Sequence, residues 1–340
     1  MKKVETYPID IVVPWVDGND PEWRKERNKY AEMEGIPSVI DNSETRFRDW
    51  DTLKYLFRSI EQNAPWVRKV HFVTCGHLPK WLNTKCKKLH IVNHKDYLDP
   101  AYLPTFSSHT IELGMHRIPG LAEHFIYFND DILILKPTKR TDFFYKGLPR
   151  DYAVLNVISS SHRGSAMDTA LTDIEIINEH FKKNQVIKQN FLKWFSPVYG
   201  IGLMRTLLLM PWPIFTNLYG THVCNPFLKS TFKEVWEKEG ETLHATCMHK
   251  FRTRRDVNQW LMREWQLCQG KFIPAAPFDG RLLSIKNDNK DIREALEKKK
   301  YKYVCVNDNG AEQILDFKAV YDELQQMMEQ QFPRKSSFEK

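Results

Sequence analysis

The segment FIYFNDDILIL, residues 125–135, is the part of this 340-residue sequence that decides the fold. It is an apolar, strand-like run that Asn129, Asp130 and Asp131 interrupt. A strand buried on both faces gains nothing from adjacent carboxylates, because desolvated like charges are costly unless a cation neutralises them. The residues alone therefore allow two interpretations. Either the carboxylates bind a hard cation such as Mg²⁺ or Mn²⁺, or they form a solvated turn between two hairpin strands.

Strand and helix patterns alternate before and through this segment. Such β-α-β alternation predicts an α/β, Rossmann-like fold with a mainly parallel sheet and helices on its faces, in which ligands bind beyond the carboxyl ends of the strands. Asp17 and Asp130 each follow a predicted strand, so we expect them at the same rim. The patterns predict strands over residues 9–13, 70–74, 89–93 and 125–128, and helices over residues 51–62 and 108–117.

The second half of the sequence is less regular. It contains neither an internal repeat nor a flexible linker, so we expect one compact unit. In this unit residues 1–150 form the α/β core, and residues 151–340 complete the sheet and add a helical half. The patterns predict strands over residues 152–158 and 201–210, and helices over residues 226–238, 256–269 and 312–331.

Composition limits the classes of protein that this chain can be. With 42% hydrophobic and 13% aromatic residues it can bury a substantial core, and no apolar run is long enough to span a bilayer. The N-terminus has no signal-peptide core, and the six cysteines form no CxxC pair, so we expect reduced thiols and the cytosol. The net charge of +7 is compatible with anionic substrates or an anionic membrane surface, whereas the basic residues are too dispersed for nucleic acid.

Polar residues also cluster where a core does not require them, and each cluster has two interpretations. Arg46 and Asp49 precede a predicted helix. Either they and the helix N-terminus hold phosphate, or they form an ordinary ion pair in a loop. Arg252 begins a run of arginines that is either solvated or binds phosphate in a bidentate manner. Glu112 and His116 lie one helical turn apart, and they are either ligands or a surface ion pair.

Taken together, these clusters resemble the conserved regions of the Stealth family of sugar-1-phosphate transferases. The resemblance covers roughly residues 9–309. The chain has no large inserted domain, and in this respect it is similar to the bacterial capsular and exopolysaccharide members of the family. The resembling stretches are residues 9–23, residues 46–131, the surroundings of His222, Lys229 and residues 251–256, and residues 305–308.

The resemblance implies a reaction and a fold. The whole sugar 1-phosphate of a UDP-sugar would move to a hydroxyl of a glycan acceptor, forming a phosphodiester and releasing UMP, in the synthesis of capsular or cell-surface polysaccharide. It also implies a GT-A-like nucleotide-sugar-binding core and an acceptor side in the helical half. Because acceptors in this family are glycans or lipid-linked oligosaccharides, we expect a cytoplasmic protein that associates peripherally with the inner face of the membrane.

The same resemblance assigns residues to roles. It implies that Asp130 and Asp131 hold Mg²⁺ or Mn²⁺ on the diphosphate and that Arg252 neutralises phosphoryl oxygens. Histidine ordinarily titrates near neutral pH, so His222 is the best candidate for the general base, with Asp17 as the alternative. Asp308 is assigned to the catalytic group by resemblance alone. The implied substrate-binding residues are Val16, Gly18, Arg46, Asp49, Glu112, His116, Arg117, Asn129 and Asn307.

Two other functions remain open at this point. A metal-dependent glycosyltransferase would attack C1 of the sugar and release UDP, and a carboxylate-bound metal would serve that reaction equally well. A non-catalytic carbohydrate-binding protein would use the 10 Trp and 13 Tyr residues for sugar stacking. That second alternative does not explain two adjacent carboxylates in an apolar run.

Overall fold

The structure is a computed structural model that describes residues 6–35, 49–160, 167–277, 279–308 and 313–340. Its centre is a five-stranded sheet of order β3-β2-β1-β4-β8, in which the first four strands are parallel and β8 is antiparallel. The predicted α/β class with a mainly parallel sheet is therefore confirmed. The strands of the described residues are β1 (Ile9–Pro14), β2 (Val70–Thr74), β3 (Leu89–Asn93), β4 (His124–Tyr127), β5 (Ile132–Ile134), β6 (Phe144–Tyr145), β7 (Leu148–Asp151), β8 (Asn225–Leu228), β9 (Ile273–Pro274), β10 (Gly280–Ser284) and β11 (Tyr303–Asn307).

Helices cover both faces of this sheet. Most of them are short, and 3-10 turns extend several of the connections. The α-helices of the described residues are α1 (Pro21–Met33), α2 (Leu53–Asn63), α3 (Ser108–Leu113), α4 (Arg140–Phe143), α5 (Met167–His180), α6 (Lys183–Gln189), α7 (Phe191–Trp194), α8 (Gly202–Leu209), α9 (Lys229–Lys238), α10 (Gly240–Met248), α11 (Gln259–Cys268), α12 (Lys290–Glu297) and α13 (Phe317–Gln331).

The alternation of side chains along β1 divides the core into two layers. Ile11 and Val13 face one buried cluster, which includes the apolar stripe of α2 and the inner side of α13. Val12 faces the opposite cluster, to which β4, α9 and α11 contribute. Because the strand is buried on both sides, its residues other than Asp10 form an apolar run rather than an alternating pattern.

Residues 129–131 connect two different sheets. β4 lies in the central sheet, whereas β5 pairs antiparallel with β11 in a three-stranded sheet of order β10-β11-β5. The two strands do not pair with each other, so the hairpin interpretation of this segment is wrong. The chain instead leaves the central sheet at the carboxyl end of β4, which places the carboxylates at the rim where ligands bind in such folds.

Several predictions for the second half are wrong. Residues 201–210, predicted as a strand, contain α8, and residues 152–158 contain only an isolated bridge from Leu155 to Leu218. The predicted helix over residues 226–238 is β8 followed by α9, so His222 leads into a strand. Short apolar runs do not distinguish a strand from a buried helix, and Pro226 is tolerated because β8 is an edge strand.

Asp10 is a buried charge in β1 and should contribute measurably to stability. Arg68 Nη2 and His71 Nε2 lie 2.5 and 3.0 Å from its Oδ2, to which the Ala122 amide also donates. Burial alone would raise the pKa of Asp10, but these partners lower it to about 2. A pKa that is lower in the folded state stabilises the protein above the ordinary carboxyl pKa, by about 2 kcal/mol here, and this contribution is lost as the pH falls from about 4 to about 2.

We therefore expect Asp10→Asn to lower the free energy of unfolding by about 2 kcal/mol or more at neutral pH. Urea unfolding measures this difference, which should shrink towards pH 2. The control Asp291→Asn, on the exposed first turn of α12, should change stability by less than about 0.5 kcal/mol. A loss equal to that of the control would contradict the role of Asp10.

Candidate active site

Four carboxylates gather at the carboxyl rim of the central sheet. Asp17 follows β1 and Asp130 follows β4, which are paired neighbours. Burial raises the pKa of Asp130 well above its ordinary value, and the charges of Asp131 and Asp49 raise it further. Burial, Asp51 and Asp17 likewise raise the pKa of Asp49. Each of these carboxylates therefore lies within electrostatic reach of another, which makes the rim a site of concentrated negative charge.

Asp131 has one carboxylate oxygen that is satisfied and one that is not. Its Oδ2 accepts a hydrogen bond of 2.6 Å from the Asn307 side-chain amide, at the end of β11. Its backbone carbonyl accepts from the Val306 amide, so the pairing of β11 with β5 holds Asp131 from two sides. Its Oδ1 is buried and has no hydrogen bond of ordinary geometry among the described residues. A polar neighbour is the buried Cys305 thiol, whose pKa is raised by burial and further by the Asp131 carboxylate, and a neutral thiol is a weak donor. Such an oxygen is costly unless a cation or a donor from a ligand meets it.

These residues fit a hard divalent cation such as Mg²⁺. An unsatisfied carboxylate oxygen beside a second, charge-crowded carboxylate is the donor set that such a cation neutralises. Within the described parts of the chain, no group of three His, Cys, Asp or Glu residues is arranged to hold a metal by itself. Mg²⁺ commonly uses one or two protein carboxylates and completes its shell with water and substrate phosphate, whereas structural zinc needs four protein ligands.

His222 lies beside this carboxylate rim. The Asn129 side-chain Nδ2 is 3.0 Å from His222 Nε2, although the two residues are 93 positions apart in the sequence. The segment before His222 is held by hydrogen bonds from the Tyr219 amide to the Val154 carbonyl and from the Thr221 amide to the phenol of Tyr152, both 2.8 Å. The exposed imidazole is thus fixed next to the residue that precedes Asp130.

A small aromatic cluster brings three distant segments to the same end of the sheet. Val16, which follows β1, packs against Trp23, Phe106 and Phe251. The rings of Phe106 and Phe251 stack with centroids 5.2 Å apart. The next residue, Arg252, donates through Nη2 to Ser108 Oγ at 2.6 Å. One hydrophobic cluster therefore joins the loop after β1 to the segment that carries Arg252, whose guanidinium is held by Ser108.

The loop after β1 is fixed by its own hydrogen bonds. The Asp17 amide donates to Nδ1 of His77, a residue that follows β2 and that the sequence patterns missed. Asp17 Oδ1 accepts from the Asn19 amide, and the Gly18 carbonyl accepts from Nε of Arg24 at 2.6 Å. A polar residue directly after a predicted strand, as in the pair Gly76-His77, is the signal that would have found His77.

The remaining predicted residues divide into two groups. Asp308 Oδ2 accepts a hydrogen bond of 3.3 Å from the indole of Trp50, which places Asp308 next to the Asp49 segment. Three others have their contacts elsewhere. Glu112 is buried and accepts from the Tyr127 hydroxyl, His116 is buried against Phe232 and Trp236, and the Arg117 guanidinium lies over the Trp236 ring.

The structure thus does not bring Glu112, His116 and Arg117 into direct contact with the carboxylate rim. Burial is the main cause that lowers the pKa of His116 to about 4, so this imidazole is neutral at physiological pH. Their assignment to substrate binding stays a prediction. Arg46 lies outside the described residues.

Asp256 holds the turn that carries Arg252. Its buried carboxylate accepts hydrogen bonds from the Thr253 amide and hydroxyl and lies 2.8 Å from Nδ1 of His249. Burial would raise its pKa, but hydrogen bonds from His109 and Thr253 lower it, so Asp256 is ionised. We infer that Asp256 positions Arg252 through this turn.

Replacing Asp256 by Ala should therefore lower kcat/KM for the donor by about 10 to 100-fold, because the turn is released and Arg252 is misplaced. Asp256→Asn keeps one accepting oxygen and should recover part of the loss. Steady-state kinetics on variants with unchanged circular dichroism measures this. A folded Asp256→Ala protein with wild-type kinetics would mean that the turn keeps its shape without the carboxylate.

Comparison with known proteins identifies the relatives of this chain. Conserved regions 1 and 2 of Stealth proteins match residues 7–35 and 46–151. The chain is 40% identical to the capsular polysaccharide phosphotransferase WcwK of Streptococcus pneumoniae over the whole of both chains. It is 38% identical to the receptor polysaccharide phosphotransferase WefC of Streptococcus oralis, over 97% of this chain and 99% of that protein. It is 36% identical to the exopolysaccharide phosphotransferase cps2G of Lactiplantibacillus plantarum, over 98% and 97% of the two chains.

Similarity at this level, over 97% or more of each aligned sequence, defines a family of bacterial polysaccharide phosphotransferases. This chain belongs to the Stealth family. Among solved structures, the galactosyltransferase LgtC aligns with 94% of this chain and 95% of its own, at 8% identity and a TM-score of 0.40. That overall similarity is too low to support an argument about function.

Proposed function

We propose that this protein transfers the sugar 1-phosphate of a UDP-sugar to a hydroxyl of a growing capsular or cell-surface glycan and releases UMP. The observation that carries the proposal is the pair Asp130 and Asp131, with its unsatisfied buried oxygen, beside the exposed His222. Membership in a family of polysaccharide phosphotransferases supports the phosphoryl group as the part that moves.

In the proposed reaction the acceptor hydroxyl oxygen attacks the β-phosphorus of the donor. A new P–O bond forms to the acceptor, and the bond from the β-phosphorus to the oxygen that bridges it to UMP breaks. The electron pair of that bond leaves with UMP, and the hydroxyl proton passes to a general base. Because little covalent chemistry is asked of the protein, catalysis rests on positioning and on neutralising the phosphoryl oxygens.

The residues of this rim suit these tasks. Asp130 and Asp131 would hold the metal, and bound Mg²⁺ would supply positive charge to the diphosphate oxygens. Arg252 presents a guanidinium that suits phosphate geometry. His222 would accept the proton, since histidine ordinarily titrates near neutral pH. The Asn129 side-chain amide, 3.0 Å from Nε2, holds this imidazole in place.

Incubation with a panel of UDP-sugars and membranes from the producing cells, followed by nucleotide chromatography, tests the proposal. We expect UMP from one donor, only when Mg²⁺ or Mn²⁺ is present. Formation of UDP instead would identify a glycosyltransferase that attacks C1. A carbohydrate-binding protein without activity would bind no UDP in a metal-dependent manner in isothermal titration.

A further inference from the structure

Helix α8 turns an apolar face towards solvent. Ile201, directly before the helix, is 73% exposed, and Met204 and Leu208 are 55% and 70% exposed. These three residues are spaced by three and four positions and therefore lie on one side of the helix, while Thr206 and Leu209 are buried on the other. Surface helices of globular proteins usually show the opposite arrangement. An outward apolar face indicates a surface that meets an apolar partner.

The neighbouring segments extend this exposed face. Leu192 in α7 and Trp212 after α8 are 85% and 52% exposed. The buried Lys183 of α6 holds the end of α8 in place, because its ammonium donates to the carbonyls of Leu209 and Met210, at 2.9 and 3.1 Å, and to that of Trp212. We call the exposed apolar side chains of this region the apolar surface; they are Phe191, Leu192, Val198, Ile201, Met204, Leu207, Leu208, Trp212 and Ile214.

The charge of the same region selects the kind of partner. Residues 180–233 contain seven Lys and Arg residues and neither Asp nor Glu, so the rest of the chain holds 43 basic and 43 acidic residues and is neutral as a whole. Lys182, Lys188 and Arg205 are exposed beside the apolar surface. A surface of apolar and basic side chains without acidic ones fits an anionic bilayer. The apolar side chains enter the boundary of the acyl chains, and the basic side chains contact lipid phosphates. Tryptophan is itself favoured at that boundary.

A cavity extends from the apolar surface to the segment that precedes His222. This cavity of about 460 Å³ is bounded on one side by Ile201, Met204 and Leu208 of the apolar surface and reaches Tyr219 on the other. Tyr219 belongs to the short segment that carries His222.

We propose that the apolar surface of α7 and α8 inserts into the surface of an anionic phospholipid bilayer. No helix among the described residues is long and apolar enough to cross a membrane. The proposed attachment is therefore peripheral, made by side chains on one face. It does not depend on the chemistry of the active site, and it is tested without substrate.

Co-sedimentation of the full-length protein with vesicles tests the proposal. We expect binding to phosphatidylglycerol vesicles that high salt weakens, and little binding to phosphatidylcholine vesicles. The double variant Leu207→Ser with Leu208→Ser should bind about tenfold or more weakly, because two large apolar side chains are lost. The matched control Met33→Ser with Leu315→Ser also removes two exposed apolar side chains, 70% and 82% exposed, and should bind like the wild type.

Three outcomes would overturn the proposal. Wild-type binding by a folded Leu207→Ser, Leu208→Ser variant, or no vesicle binding by the wild type, would show that the apolar surface does not contact lipid. A dimer in analytical ultracentrifugation that the same variant dissociates would show that a second copy of the chain covers the surface instead. Circular dichroism of each variant confirms that the substitutions leave the fold intact.

Discussion

Asp131→Asn should abolish transfer while leaving the folded protein intact. The amide oxygen can still accept from Asn307, so the shape of the site is kept. What is lost is one of the two charges that would hold Mg²⁺ at the diphosphate. Metal-ion stabilisation of phosphoryl charge is worth several kcal/mol, so we expect kcat to fall by about 10³-fold or more. The exposed control Asp291→Asn should retain wild-type turnover.

A thermal shift provides a measurement that does not depend on activity. Mg²⁺ should raise the Tm of the wild type, because it binds the folded state, and should not raise that of Asp131→Asn. Without Mg²⁺ the variant should be at least as stable as the wild type, since a like charge next to Asp130 is removed. A folded variant that turns over at the wild-type rate in Mg²⁺ would show that Asp131 does not bind the metal.

The raised pKa of Asp130 gives this site a defined pH dependence. A carboxyl whose pKa is raised in the folded state favours folding when protonated, and this stabilisation is lost as the pH rises through the folded-state pKa. Metal binding requires the ionised form, so Mg²⁺ competes with the proton and its affinity should increase with pH. The Mg²⁺-induced shift in Tm should accordingly grow with pH.

His222→Ala should lower kcat by about 10² to 10⁴-fold with little change in donor affinity, because general-base catalysis acts on the acceptor proton. The acidic limb of the pH–rate profile should disappear in the variant if His222 is the titrating group. The control His244→Ala replaces another exposed histidine, which contacts the Tyr102 hydroxyl, and should keep both the rate and the profile.

Two results would move the assignment away from His222. A loss smaller than about tenfold would mean that the imidazole only positions substrate. A slow variant that retains the acidic limb would mean that another group titrates. Asp17, fixed at the same rim by His77 and Asn19, is then the better candidate, and Asp17→Asn should remove the limb.

The sequence predicted the half of the fold in which strands are parallel and buried. β2 and β3 have the predicted bounds, and Asp17 and Asp130 follow paired strands as expected. This success has a physical cause, since strands inside a parallel sheet are rich in apolar residues and are bounded by turn residues. The same reasoning wrongly predicted a strand over residues 201–210, which contain α8. Several exposed positions of this helix are apolar, so its sequence lacks the alternation of apolar and polar residues that marks a surface helix.

The contacts that complete the site could not be predicted from spacing. Asn307 reaches Asp131 only because β11 pairs with β5 in a second sheet, and His222 reaches Asn129 across 93 positions. Such pairings depend on tertiary topology, which local patterns do not contain. The resemblance to the Stealth family named Asn307 and His222 without giving their partners. Glu112 and His116 are buried with contacts of their own, to Tyr127 and to Phe232, and their role stays a prediction.

The central claim is that the phosphoryl group moves with the sugar, and the fate of the β-phosphorus tests it most directly. The UDP-sugar that supports turnover is prepared with a radioactive β-phosphorus and incubated with the protein, Mg²⁺ and a glycan acceptor. We predict that the label appears in the glycan, in a linkage that alkaline phosphatase cannot remove, while unlabelled UMP is released. Label that remains in the nucleotide as UDP, with sugar transferred, would contradict the account.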